Sequence, residues 1–167
     1  EVAVSRANNL GGLGITKNTR GDQFPATSVN WNEAARFVNW LNESKGFHPA
    51  YKFALQPGES GYDPNSDIEL WTPEDAGYNS ANLYRNSLAV YFLPSVDEWY
   101  KAAYFDPVNN VYYVYPTGSN TAPIWTAGGT VPGTAVFNNP SLPIVNPVEV
   151  TMTGGLSPNG TRGQGGN

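Results

Sequence analysis

Leu93-Pro-Ser-Val-Asp-Glu-Trp-Tyr-Lys-Ala-Ala-Tyr104 is the stretch whose reading decides the fold. Pro94 holds the approach extended, and Ser95 is an N-cap. Glu98 stands three residues on, where its carboxylate reaches back to the Ser95 backbone N–H. Val96, Trp99, Ala102 and Ala103 follow at offsets of three and four and form one apolar face. The spacing predicts a helix whose small alanines let it sit close to a sheet. A second segment of the same design lies upstream. Asn30 is its cap, Glu33 the matching partner, and the helix is predicted from Trp31 to about Asn42. Trp31, Ala34, Ala35, Val38 and Leu41 make the expected buried face, with Phe37 and Trp40 widening it. Trp31 and Trp40 at this spacing read as core aromatics rather than a ligand platform. Gly46 is the expected stop.

Shorter signals fill the rest of the chain. Glu1-Val-Ala-Val4 alternates, Leu10-Gly-Gly-Leu-Gly-Ile15 reads as a plain loop, and Thr16 to Asp22 as a polar turn. Phe47 to Phe53 reads as a short strand or extended segment. Val111-Tyr-Tyr-Val-Tyr115 alternates as a strand, and short strands are expected around Ile124-Trp125, Ala135-Val-Phe137 and Val148 to Met152. The whole is an α+β chain: two main helices, small sheets and long irregular loops, in one domain over 1–167.

Composition bounds the function. The 167 residues carry a net charge of -5, which argues against nucleic acid or an anionic membrane as the main partner. No apolar run approaches the roughly 20 residues that span a bilayer. With no cysteine there is no disulfide, thiolate metal site or thiol nucleophile. Abundant Asn, Thr, Gly and Tyr fit an extracytoplasmic protein, secreted or in the cell envelope. The chain starts at Glu1, as a processed product or fragment does. His48 is the only histidine, too few for a three-histidine iron or paired-histidine zinc site, and reads as structural.

Residues 55–83 show no clear periodicity, and loops of this length are usually functional. Asp63 and Asp67 are either turn-forming residues or hard oxygen donors for Ca²⁺, although the run lacks the Gly and the terminal Glu of an EF-hand loop. Trp71 is either a plug over the core or an exposed recognition aromatic. Asp63, Asp67 and Trp71 are therefore the candidate ligand-binding residues.

Pro25-Ala-Thr-Ser-Val-Asn-Trp-Asn-Glu-Ala-Ala-Arg-Phe-Val-Asn-Trp-Leu41 resembles the first helix of the formylglycine-generating-enzyme (sulfatase-modifying factor) family. Leu93 to Ala103 is similar to that family's Leu-Pro-Thr-Glu-x-Glu-Trp-Glu-x-Ala signature. Ser157-Pro-Asn-Gly-Thr-Arg-Gly-Gln-Gly-Gly-Asn167 resembles the segment ending in Gly-Asn before the family's Val-Trp-Glu-Trp motif. The matches come in family order, and secreted, surface-associated bacterial members are the nearest in character. The resemblance implies a C-type-lectin-like fold with two helices on small, mainly antiparallel sheets.

The resemblance also implies structural calcium. Asn167 matches a ligand of one site, whose partner Glu would lie beyond it. At the other site Val136 stands at the ligand position and Asn138 is the neighbouring donor. Copper is not supported, because the family's copper-binding cysteine pair would lie downstream of Asn167. On this footing the chain reads as truncated at its C-terminal end, with a remainder, a cleaved second chain or a partner completing the fold. The expected function is a non-catalytic extracytoplasmic binding or structural module with a protein or glycan ligand. The alternative is a metal-dependent oxidase of the formylglycine-generating type whose catalytic residues follow Asn167.

Overall fold

The structure, a computed structural model, describes residues 2–6, 13–17, 23–26, 29–63, 65, 68–138 and 147–166, the first two stretches for their backbone alone. Asp67, Asn167 and most of the segment 7–22 lie outside the described residues. The order is β1 (Val2–Arg6), β2 (Leu13–Lys17), α1 (Trp31–Glu43), α2 (Val96–Tyr104), β3 (Phe105–Asp106), β4 (Val111–Tyr112), β5 (Ile124–Trp125) and β6 (Thr134–Ala135). The strands pair as three two-stranded sheets, β1 with β2, β3 with β4 and β5 with β6. The protein is thus a small mixed α+β chain. Contacts divide it into two compact units, one holding Val4–Ile15 and Ser28–Leu93, the other Glu1–Ala3, Thr16–Thr27 and Pro94–Asn167.

Both helices start as their sequences dictate. The Asn30 side chain accepts from Glu33 N at 2.9 Å, and the Glu33 carboxylate accepts from Asn30 N at 2.9 Å. Ser95 and Glu98 exchange the same pair of bonds at 3.2 and 2.8 Å. Each box satisfies N–H groups that no helical carbonyl can reach.

The buried faces differ from the sequence expectation. On α1 the buried stripe is Ala35, Val38, Asn39 and Asn42, at helical offsets of zero, three, four and seven, with Arg36 beside it. Trp31 is 47% exposed, Phe37 44% and Trp40 54%. The face is turned because α1 packs on the main chain of irregular loops, not on the side chains of a sheet. Loop backbone brings unpaired N–H and C=O groups that need partners, and asparagine provides both an acceptor and donors. Asn39 Oδ1 accepts from Ala50 N at 2.8 Å and Tyr51 N at 2.9 Å, while its Nδ2 donates to Tyr51 O at 2.6 Å. Asn42 Oδ1 accepts from Val90 N and Tyr91 N, and its Nδ2 donates to Tyr91 O at 2.8 Å. Apolar packing completes the seam: Ala35, Val38, Ala50, Tyr51 and Phe53 form one cluster, flanked by Ile68, Ala89 and Leu93.

A third amide works the same way within the loops. Asn86 Nδ2 donates to Ala76 O at 2.8 Å, its Oδ1 accepts from Leu88 N, and its backbone N–H donates to Ala50 O. Gly77 lies against this amide at φ +79°, and a Cβ there would overlap the Asn86 carboxamide. Phe47 to Phe53 bends at Ala50 and Tyr51 and, among the described residues, makes the single bridge Lys52–Glu69 rather than a ladder.

In the second unit α2 buries Ala103 alone, and Val96 is 80% exposed. The helix is held at its last turn. Asn159 Nδ2 donates to Lys101, Ala102 and Phe105 carbonyls, and Ser157 Oγ donates to Ala102 O. Ala102 O is a carbonyl of the kind a helix end leaves without a partner, whereas Lys101 O also accepts from the Phe105 N–H. Phe105 pairs antiparallel with Tyr112, so β4 ends earlier than the alternation through Tyr115 predicts. Tyr115 bonds to Ser119 instead, closing a turn. Strands are found at Ile124-Trp125 and near Ala135, but β5 and β6 run parallel. Val148 to Met152 is not a strand: Met152 N donates back to Glu149 O, and pairing with Gly129 and Ala135 begins only at Thr153 and Gly154. Leu13 to Lys17, expected as loop and turn, is strand.

Candidate functional site

The unit built on α1 carries a cleft of about 330 Å³, at the small end of the range that ligand sites occupy. Its buried lining is Tyr51, Phe53, Arg36 and Asn39, its aromatic walls include Trp40 and Trp71, and Glu43, Lys52 and Gln56 add polar groups. Helix α1 delivers Arg36, Trp40 and Glu43 from successive turns, because residues three, four and seven apart share a face. The segment 51–53 is fixed opposite by the Asn39 clamp.

Trp71 is anchored at both ends. Its backbone N–H donates to Leu83 O at 2.8 Å and its indole Nε1 to Ala50 O at 3.2 Å. An indole held this way keeps its orientation, which is what a stacking surface requires. Trp40 is held loosely by comparison, tilted against Phe37 at 5.6 Å between ring centroids.

The two cations differ. Lys52 Nζ lies 2.8 Å from Asp75 Oδ2. That hydrogen bond raises the Lys52 pKa and lowers the Asp75 pKa, with Thr72 N also donating to the Asp75 carboxylate. The charge of Lys52 is therefore matched locally. Arg36 is 6% exposed and has no carboxylate partner among the described residues. Its guanidinium lies over the Phe53 ring at 3.9 Å and the Tyr62 ring at 4.9 Å, and Nη1 donates to Leu55 O at 3.1 Å. Nε and Nη2 are buried with no hydrogen-bond partner among the described residues.

Of the residues the sequence pointed to, Trp71 lies in this cleft. Asp63 is exposed and accepts from Asn65 N at 2.8 Å, an Asx turn, and does not line the cleft. Asp67 lies outside the described residues. Asn138 is exposed, and no group of three or more His, Asp or Glu that could hold a metal occurs among the described residues. His48 is exposed. Asp106 has a lowered pKa, first from the Asn109 side chain and then from backbone N–H groups of Asn109 and Val108, which is the chemistry of a β3–β4 turn rather than of a reaction centre. No helix among the described residues is long and apolar enough to cross a membrane.

Sequence reasoning missed Arg36, Glu43 and Gln56, and it weighed Trp40 as a ligand platform but read it as core, whereas it is 54% exposed. Arg36, Trp40 and Glu43 share helical spacing, the signal that could have found them, but a tryptophan at that spacing is indistinguishable from a core residue until its partner surface is known. Gln56 carried no signal. In comparisons with known proteins, no family model, curated protein or solved structure matches the chain.

Proposed function

We propose that this chain is a non-catalytic, extracytoplasmic binding module that seats a glycan in the α1 cleft, on a C-type-lectin-like scaffold of the formylglycine-generating-enzyme type. The observation that carries the binding site is the pair of accessible indoles, Trp40 at 54% exposure and the anchored Trp71, lining one concave surface. Sugar rings present C–H groups of slight positive charge to the negative face of an indole, and hydroxyls at their edges to polar groups. The Glu43 carboxylate and the Gln56 side-chain amide make no hydrogen bond or ion pair among the described residues. They stand as uncommitted acceptors and donors. The scaffold assignment rests on the sequence likeness at 25–41, 93–103 and 157–167, supported by the two capping boxes and the coarse α+β architecture.

Tryptophan fluorescence titrations against a panel of soluble neutral and acidic oligosaccharides test the reading. Saturable quenching that is lost in Trp40→Ala, with an unchanged melting temperature, is the expected result. Binding that survives Trp40→Ala would place the site elsewhere. Absence of binding across the panel at millimolar sugar would end the glycan reading.

A further inference from the structure

We infer that Asn159 is a site of spontaneous deamidation, held back by the folded turn around it, and that the change is a one-way release of the last turn of α2. Asn159-Gly160 is the only Asn-Gly pair in the chain. In such a pair the glycine backbone nitrogen, once it has lost its proton to hydroxide, attacks the asparagine Cγ. The new N–C bond closes a cyclic succinimide, and the carboxamide nitrogen takes up a proton and leaves as ammonia. Water then adds to the ring and opens it, giving aspartate or isoaspartate. No oxidant or reductant enters the balance. Glycine is the most favourable residue at the attacking position, because it has no Cβ to crowd the ring and turns freely into the backbone angles that closure needs.

Asn159 and Gly160 are exposed, and a Cβ at Gly160 would meet nothing within 4 Å, so solvent reaches the bond. Both reacting groups are nevertheless engaged. The Gly160 N–H donates to Ser157 O at 2.9 Å. Asn159 Nδ2, the leaving nitrogen, donates to Phe105 O at 2.7 Å, Lys101 O at 3.2 Å and Ala102 O at 3.3 Å. The turn is closed by Ser157 N on Thr161 O and by the Ser157 and Thr161 hydroxyls, 2.7 Å apart. Attack on Cγ therefore waits on a local opening that frees Gly160 N and turns the carboxamide. The product cannot return to the same seat. A carboxylate only accepts, so aspartate in place of Asn159 sets an anion against three carbonyl oxygens at the negative end of the α2 dipole. Isoaspartate lengthens the backbone as well. Ser157 Oγ, 3.1 Å from Ala102 O, is left to hold the helix end.

The full chain is incubated at mildly alkaline pH, folded and in urea, and Asn159 is followed by peptide mapping with isoaspartate detection. Product is expected at Asn159 in both, about tenfold or more slowly in the folded chain, because openings of a hydrogen-bonded turn are minority states. Equal rates overturn the protection by the turn. A folded chain that stays unmodified while the unfolded chain converts overturns the switch. Asn159→Asp, which makes the product directly, should lower the melting temperature by roughly 3 °C, no less than Asn159→Ala does. It should also speed hydrogen exchange at the Phe105 amide, which bonds to Lys101 O. Should Asn159→Asp fail to fold, the aged chain, separated from the unmodified one by charge, carries the same two readouts. A melting temperature and exchange rate equal to those of the unmodified chain overturn the release of α2.

Discussion

Replacing Asn39 tests whether hydrogen bonds or packing hold α1 to its loops. Asn39 is 9% exposed and satisfies three main-chain groups, Ala50 N, Tyr51 N and Tyr51 O, at 2.8, 2.9 and 2.6 Å. Ala50 is fully buried and Tyr51 nearly so. A stranded buried group costs about 1–3 kcal/mol. Three of them set an upper bound of about 9 kcal/mol, reduced by whatever water reaches them. Asn39→Leu keeps the branched outline at a larger volume and blocks water, so the loss should be about 3–5 kcal/mol. Asn39→Ala opens a space beside the cleft, water rehydrates the three groups, and the loss should be about 1–3 kcal/mol. Packing alone predicts the reverse order, because a cavity is worse than a filled site. Urea unfolding followed by circular dichroism, with the m-value checked for constancy, reads both variants. A larger loss for alanine than for leucine, or under about 1 kcal/mol for leucine, would refute the reasoning.

Three further outcomes follow from local geometry. Gly77→Ala forces a left-handed φ on alanine and overlaps the Asn86 amide. It should cost more than about 1 kcal/mol and lower the melting temperature by at least roughly 3 °C, and an unchanged melt would contradict it. Ser95→Ala removes the α2 cap and should cost about 1 kcal/mol in chemical denaturation. The carboxyls of Asp75 and Asp106 sit below their ordinary pKa, so both contribute stability that is complete above about pH 4 and is lost as pH falls through their lowered folded values. Lys52, raised, loses its contribution only as pH climbs past about 10.4 into its folded value. Asp75→Asn together with Asp106→Asn should flatten the acid limb of a stability–pH curve, and an unaltered limb would count against these assignments.

Helix starts were the most legible part of the chain. A cap is a local matter: Asn30 with Glu33 and Ser95 with Glu98 need nothing but their own backbone to form, and both formed as read. Helix faces were less legible, because a face is defined by what it meets. The sequence of α1 offers tryptophans and asparagines at overlapping helical offsets, and the apolar rule chose the tryptophans. The partner is loop backbone, so the asparagines went inside and Trp40 was left out. Short strands near Ile124 and Ala135 were readable from their β-branched and aromatic residues, but their parallel pairing was not. The turn at Glu149–Met152 shows a β-prone run overruled by a local hydrogen bond. Trp71 was singled out for its position in an aperiodic loop, whereas Arg36, which lines the same cleft, sat unnoticed between apolar neighbours in a helix.

Among the described residues, Asn39, Asn42 and Asn86 all grip peptide groups rather than a neighbour's side chain. What they recognise is therefore present at every position of the loops, whatever the residue. Side chains projecting from 56, 57 and 71 can be exchanged while the same three carboxamides keep the loops in place, apart from the tether lost with the Trp71 indole. Such a frame lends itself to respecification: a display library varied at those positions starts from a scaffold whose attachment points it does not touch.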